Sequence, residues 1–143
     1  MNADNPLGSS GKSSGITSLR VRYADTDAMG VAYHANYLIW FEQGRTEFLR
    51  QAGISYRELE AQGYLLPVSE VQARFIAPAR YDDLLTVKTT PVELRSRRLV
   101  FDYEIVNEQG RLLVSGRSTH IVVDRDSRRP TRLPQAILEL LQG

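Results

Sequence analysis

Two kinds of apolar spacing divide the chain. From Ile16 to Ala24, Leu19, Val21 and Tyr23 alternate with polar residues, the period of a half-buried strand. Asp25-Thr26-Asp27-Ala28-Met29-Gly30 then interrupts the pattern with turn formers. Residues 36–52 change to helical spacing, with Tyr37, Leu38, Ile39, Trp40, Phe41, Gly44, Phe48, Leu49 and Ala52. The first turns of this helix are apolar nearly all round, which predicts protein on several sides of it. Asn36 is placed to cap its start and Gly53 to end it. Ser55 and Glu58 have capping-box spacing, with Ile54 and Leu59 as the hydrophobic staple of a short second helix ending near Gly63.

Beyond that point the period of two returns. Val71, Ala73, Phe75 and Ala77 alternate until Pro78. Leu85, Val87 and Thr89 follow, then Leu99, Phe101, Tyr103 and Ile105, with Asp102 and Glu104 facing the other way. Asn107-Glu108-Gln109-Gly110 reads as a hairpin turn. Leu112, Val114, Gly116, Ser118, His120 and Val122 share one face of the last strand, and Pro134 opens a terminal helix with Ile137, Leu138 and Leu141. The order is strand, long helix, then four strands joined by hairpin-length links. It predicts an α+β domain: a curved, mostly antiparallel sheet of five strands, each of eight or more residues, wrapped around one dominant helix. Edge strands of such a sheet are commonly covered by a second copy.

Composition narrows the possibilities. At 143 residues and 16.2 kDa the chain is one domain, with 42% apolar and 24% charged residues in the globular range. Residues 8–15, Gly-Ser-Ser-Gly-Lys-Ser-Ser-Gly, have linker chemistry, so residues 1–15 read as a disordered tail and residues 16–143 as the domain. Gly11-Lys12-Ser13 imitates the end of a phosphate-binding loop, but Pro6 stands where its first glycine belongs. The strongest apolar run, Tyr37 to Phe41, is far below the roughly 20 residues of a membrane span, and no secretory signal is visible. A net charge of +1 gives no electrostatic case for nucleic acid. Cysteine is absent, which removes thiol catalysis and thiolate metal sites and fits a reducing cytoplasm. With only His34 and His120 and no His-Glu-x-x-His spacing, no metal site is expected. Arginine outnumbers lysine 16 to 2, a bias that suits phosphate forks but also follows from codon usage.

The richest chemistry lies between the first strand and the helix, in Tyr23-Ala24-Asp25-Thr26-Asp27-Ala28-Met29-Gly30-Val31-Ala32-Tyr33-His34-Ala35-Asn36-Tyr37. A helix N-terminus offers unpaired N–H groups and partial positive charge, which can hold the oxyanion formed when a carbonyl is attacked. A nearby carboxylate can attack that carbonyl or deprotonate a water. Acyl transfer to water is one reading. Turn and capping chemistry, or a calcium ligand pair, is the other.

The segment Tyr23 to Arg50, with Asp25-Thr26-Asp27-Ala28-Met29-Gly30, Tyr33-His34-Ala35-Asn36-Tyr37, Glu42, Gly44-Arg45 and Glu47, resembles hotdog-fold thioesterases of the 4-hydroxybenzoyl-CoA thioesterase type, and most of all YbgC-like acyl-CoA thioesterases. Ala77-Pro78-Ala79-Arg80-Tyr81-Asp82-Asp83-Leu84, and Thr119-His120 with Ile121 to Asp124, fit the same family. The resemblance implies a hotdog fold and hydrolysis of acyl-CoA to free acid and CoA. It implies Asp27 as nucleophile or general base and the His34 backbone N–H as oxyanion donor. Tyr23 and the His34 side chain would line the same site, and Tyr33 and Asn36 are candidate substrate-binding residues beside them. It also implies a homodimer or homotetramer with the acyl pocket between protomers, and no cofactor beyond the coenzyme A of the substrate. Two arginine clusters are candidates for the CoA phosphates: Arg95, Arg97 and Arg98, and Arg125, Arg128 and Arg129. Asp25 is expected to brace the loop, and Glu47 to pair with neighbouring arginines on the helix. His120, alternating with apolar residues on a strand, is expected as a satisfied, partly buried histidine. Because fold alone does not fix function, a non-catalytic hotdog module that binds acyl groups or a protein partner is the alternative. A change of carrier from coenzyme A to acyl carrier protein is a third.

Overall fold

The computed structural model describes residues 14–143. Strand β1 (Gly15–Arg20) leads through a one-turn 3-10 helix (Tyr23–Asp25) and a loop to helix α1 (Ala35–Ala52) and the short helix α2 (Tyr56–Ala61). Strands β2 (Tyr64–Leu65), β3 (Val68–Phe75), β4 (Leu84–Leu94), β5 (Arg98–Val106), β6 (Leu112–Ile121) and β7 (Val123–Asp124) follow, and helix α3 (Gln135–Gln142) closes the chain. The main sheet has the order β1-β4-β5-β6-β3 and is antiparallel throughout. β2 and β7 form a separate two-stranded ribbon.

One face of the sheet receives α1. Tyr37, Trp40, Phe41, Gly44, Phe48 and Leu49 form its buried stripe at helical spacing. They meet Leu85 and Val87 of β4, Phe101, Tyr103 and Ile105 of β5, and Val114 of β6. Phe41 stacks on Tyr103 with ring centroids 4.5 Å apart, and Phe48 meets Phe101 edge-on at 5.5 Å. The helix approaches the sheet so closely at Gly44 that a Cβ there would lie 2.5 Å from Thr89 Oγ1 and 2.8 Å from Val87 Cγ1. Only glycine allows that approach.

Several boundaries differ from the sequence reading. β1 has six residues, not eight or more, and stops at Arg20. Tyr23 leaves the predicted alternation because Arg22 and Asp25 fold residues 23–25 into a 3-10 turn, and its side chain is 78% exposed. Gly15 and Ser14, expected in a disordered tail, are ordered: Gly15 pairs with Thr89 in β1, and Ser14 Oγ lies 3.0 Å from Thr90 Oγ1. The rest of that tail lies outside the described residues. His34, not Asn36, occupies the N-cap of α1, and its side chain makes no capping bond. Leu38 and Ile39 of α1 are exposed, so within one chain the first turns are covered on one side only. The ribbon of β2 and β7 was not expected.

Candidate active site

The segment between β1 and α1 is fastened at many points. Arg22 N–H donates to Asp25 Oδ2 at 2.8 Å, and the Arg22 guanidinium reaches Asp25 Oδ1 at 2.8 Å. Burial pushes the Asp25 carboxyl up, but the Arg22 hydrogen bonds and charge outweigh it and hold the group below the usual carboxylate range. Asp25 therefore stays ionised and braces the turn, as its place in the motif suggested.

The chain then doubles back. Asp27 N–H donates to the Val31 carbonyl at 2.9 Å, and Asp27 Oδ1 accepts from Met29 N–H at 2.9 Å. Gly30, at φ +82°, permits the reversal. Thr26 and Ala32 form a bridge, as do Val31 and Arg80. The returning strand is tied to the turn before β4 by Ala32 N–H donating to the Ala79 carbonyl at 2.8 Å. The outgoing strand is tied to α1 by the Asp25 carbonyl, which accepts from Tyr33 N–H at 2.8 Å and from Asn36 Nδ2 at 2.7 Å.

These bonds keep the Asp27 loop beside the N-terminus of α1. Its side chain is partly exposed, and one carboxylate oxygen is engaged by Met29. Among the described residues the amides of Tyr33, Asn36 and Tyr37 donate to backbone carbonyls, while that of His34 has no acceptor. A free N–H at the positive end of a helix suits a developing oxyanion.

Aromatic rings surround this end of the helix. Tyr33 is half-exposed, with its ring 4.4 Å from that of His34. Phe75, at the end of edge strand β3, lies 6.4 Å from His34 and 5.5 Å from Tyr37. Tyr23 packs edge-on against Tyr81 at 5.7 Å. Tyr23, Met29, Tyr33, Phe75, Ile76 and Tyr81 together leave a large apolar surface open.

The arginines expected to hold phosphate lie elsewhere in the chain. Arg95 and Arg97 are in the turn between β4 and β5, and Arg128 follows β7. β4 begins beside the Asp27 end, where Asp82 and Asp83 bond to Val21, and runs about 33 Å to the Arg95 end. One chain therefore separates Arg95 and Arg97 from Asp27. Arg95 and Arg98 both reach the Glu93 carboxylate, at 3.0 and 3.3 Å.

Sequence reading missed a buried polar chain on the inner face of the sheet. Tyr103 OH and Ser118 Oγ lie 2.6 Å apart, and Ser118 Oγ and His120 Nε2 lie 2.8 Å apart. His120 Nδ1 is 3.1 Å from the Leu66 carbonyl, so Nδ1 carries the proton and Nε2 accepts from Ser118. Arg45 Nη1 approaches Tyr103 OH at 3.4 Å. Burial, with the Arg45 charge, lowers the His120 pKa from 6.5 to about 4. His120 is satisfied, as expected, but fully rather than partly buried; Ser118, two residues away on the same face, is its near partner, whereas Leu66 lies too far along the chain to be foreseen. A cavity of about 220 Å³ beside it is bordered by Glu42, Arg45, Thr46, Tyr56 and Phe101 among others. Glu47 is taken up by an ion pair with Arg50. Among the described residues, no group of three or more His, Cys, Asp or Glu converges as metal ligands, and no helix is long and apolar enough to cross a membrane.

A sheet wrapped on one long helix, with an Asp-x-Asp loop at the helix N-terminus, defines a hotdog-fold thioesterase. Family comparison agrees: residues 21–141 match the thioesterase-like superfamily, and the chain belongs to it. It is 38% identical over 120 residues to the acyl-CoA thioester hydrolase YbgC of Escherichia coli O6:H1, covering 84% of this chain and 90% of that one. It is 30% identical over 118 residues to the 1,4-dihydroxy-2-naphthoyl-CoA hydrolase of Thermosynechococcus vestitus, covering 82% and 81%. Among solved structures it resembles the DHNA-CoA thioesterase of Staphylococcus aureus, with a TM-score of 0.81 and 38% identity over 84% of this chain and 80% of that one.

Proposed function

We propose that this thioesterase hydrolyses acyl-CoA at the N-terminus of α1, with Asp27 as the reacting carboxylate and the His34 backbone N–H as the oxyanion donor. The observation that carries this reading is the double hydrogen bond to the Asp25 carbonyl, from Tyr33 N–H and Asn36 Nδ2. It fastens the carboxylate loop to the head of the helix that bears the unpaired amide.

In the reaction, oxygen bonds to the thioester carbonyl carbon and the carbon–sulfur bond breaks. If Asp27 acts as base, it takes a proton from water as the water oxygen attacks. If Asp27 acts as nucleophile, its own oxygen bonds first and water then cleaves the resulting anhydride. In both routes the carbonyl oxygen gathers negative charge opposite His34 N–H. The leaving thiolate takes up a proton; with a thiol pKa of roughly 8.5, it departs with little acid assistance. No serine triad is needed, and no metal or redox group enters any step. Tyr23, Tyr33 and the His34 ring supply the walls.

The enzyme acts as a homo-oligomer, in the cytoplasm. β3 is an edge strand with Val68, Val71 and Phe75 exposed. Antiparallel pairing of two β3 edges would cover these residues and bring the far end of a second copy to this Asp27. Arg95, Arg97 and Arg128 of that copy are then candidates for the CoA phosphates. Hydrolysis of a panel of acyl-CoA thioesters, with graded aliphatic chains and one hydroxyaryl member, tests the proposal through release of free thiol. Thiol release that requires Asp27 supports it; a purified protein that binds acyl-CoA for hours without releasing thiol refutes it in favour of a binding module.

A further inference from the structure

Asn36 and Tyr37 are neighbours on the first turn of α1, yet each holds a different wall of the Asp27 loop. Asn36 Nδ2 donates to the Asp25 carbonyl at 2.7 Å, fixing the outgoing wall. Tyr37 Oη accepts from Ala79 N–H at 3.1 Å, and the Ala79 carbonyl accepts from Ala32 N–H at 2.8 Å, fixing the returning wall. The loop between them is crossed by the bond from Asp27 N–H to the Val31 carbonyl. The outgoing wall has a carbonyl with two acceptor sites, both filled from the helix head: one by the Tyr33 amide, one by the Asn36 side chain. Asp25 cannot turn away to release this carbonyl, because its carboxylate is locked by Arg22.

The geometry points to Asn36 as a positioning residue. It acts on the reaction through Asp25 and the loop, by fixing the carboxylate of Asp27 relative to the amide of His34, and does not touch the substrate. One of its two side-chain N–H groups is held by the Asp25 carbonyl, which fixes the amide towards the loop. The chemistry explains the demand for asparagine. A neutral amide can donate to the Asp25 carbonyl, whereas an aspartate of the same shape offers only lone pairs to it. Besides Asn36, the Tyr33 amide on the outgoing wall and the Tyr37 phenol, through Ala79, on the returning wall tie the loop to the helix head; Asn36 is the side chain that holds the outgoing wall directly. Misplacing a reacting group by about 1 Å can cost about 100-fold in rate without disturbing substrate binding.

This inference rests on the thioesterase reading, and its test separates the two. Three variants are compared: Asn36→Ala, Asn36→Asp, and Asn36→Ala in an Asp27→Ala background. Asn36→Asp keeps the side-chain volume and serves if the alanine variant folds poorly. The positioning role predicts kcat about tenfold or more lower for both single variants, with KM and the affinity for a non-hydrolysable acyl-CoA thioether within about twofold. In the Asp27→Ala background, removing Asn36 should change the residual rate by less than about twofold, because no carboxylate remains to misplace. General damage to the fold would lower that residual rate as well. Amide hydrogen exchange at Asp27 and Tyr33 should quicken in Asn36→Ala. Weakened thioether binding with kcat retained would make Asn36 a substrate contact and overturn the inference, as would an unchanged kcat. If the wild-type protein hydrolyses no acyl-CoA, the thioesterase reading fails by itself; unchanged exchange at Asp27 and Tyr33 would then still reject the clasp, and quickened exchange would uphold it.

Discussion

The phenolic oxygen of Tyr37 accepts the backbone N–H of Ala79 at 3.1 Å, inside a contact from which both residues exclude water. One side chain on the first turn of α1 thus anchors the turn that leads into β4. Burial raises the Tyr37 pKa above its ordinary value, so the hydroxyl stays protonated and neutral. Tyr37→Phe leaves the Ala79 amide buried without that acceptor, which costs about 1–3 kcal/mol. A denaturant melt should show that loss, with the m-value unchanged. Stability equal to wild type would mean that another acceptor replaces the phenol.

Gly44 is predicted to resist substitution. An added methyl would meet Thr89 Oγ1 and Val87 Cγ1 inside their contact distances, in a layer where both partners are fully buried. Overpacking of this kind costs about 1–3 kcal/mol. Gly44→Ala should lower Tm by several degrees, although alanine is the better helix former by about 1 kcal/mol. A rise in Tm would show that helix and sheet can separate freely there.

Acid should destabilise the protein through His120 before the carboxylates respond. The folded-state pKa of about 4 lies below the ordinary 6.5, so the unfolded chain binds the proton more readily. The stabilisation is full above pH 6.5 and is lost as pH falls from 6.5 towards 4. From the size of that gap it is on the order of 3 kcal/mol. Asp25 and Asp124, held below the usual carboxylate range, contribute above the unfolded carboxylate pKa and lose that contribution only at still lower pH. Unfolding free energies between pH 7 and pH 4 should therefore slope downward in the wild type and flatten in His120→Asn. A wild-type profile flat over that interval would contradict the buried neutral state.

The long elements were legible because their residues carry a period. Leu99, Phe101, Tyr103 and Ile105 alternate in sequence and are all buried in β5. Ser55 and Glu58 form the expected capping box, with bonds of 3.1 and 2.8 Å. Where local pattern yields to tertiary bonding, the sequence misleads. Tyr23 continues the alternation of Leu19 and Val21, but Arg22 and Asp25 curl the chain before it can pair. Asn36 has the chemistry of a cap, but the Asp25 carbonyl, brought near by the loop, takes its amide instead. Two-residue strands such as β2 and β7 are too short for any period to register. The motif around Asp27 marks the candidate site region in the sequence itself, whereas the spatial remoteness of Arg95 and Arg97 required the register of β4.

The route of hydrolysis is open to an isotope test. A single turnover of unlabelled protein in oxygen-18 water puts the heavy atom in the acid product when Asp27 activates water. Unlabelled acid product, with oxygen-18 found in a peptide containing Asp27, requires an anhydride instead.

The assignment of residue 27 stands or falls on one comparison: the turnover number of Asp27→Asn against wild type on the best acyl-CoA of the panel. The amide keeps the acceptor oxygen for Met29 N–H, so the loop survives while the base or nucleophile is lost. The account predicts a fall of about 100-fold or more with the fold intact by circular dichroism. A variant that turns over within about threefold of wild type would contradict it, since that is less than general-base catalysis contributes.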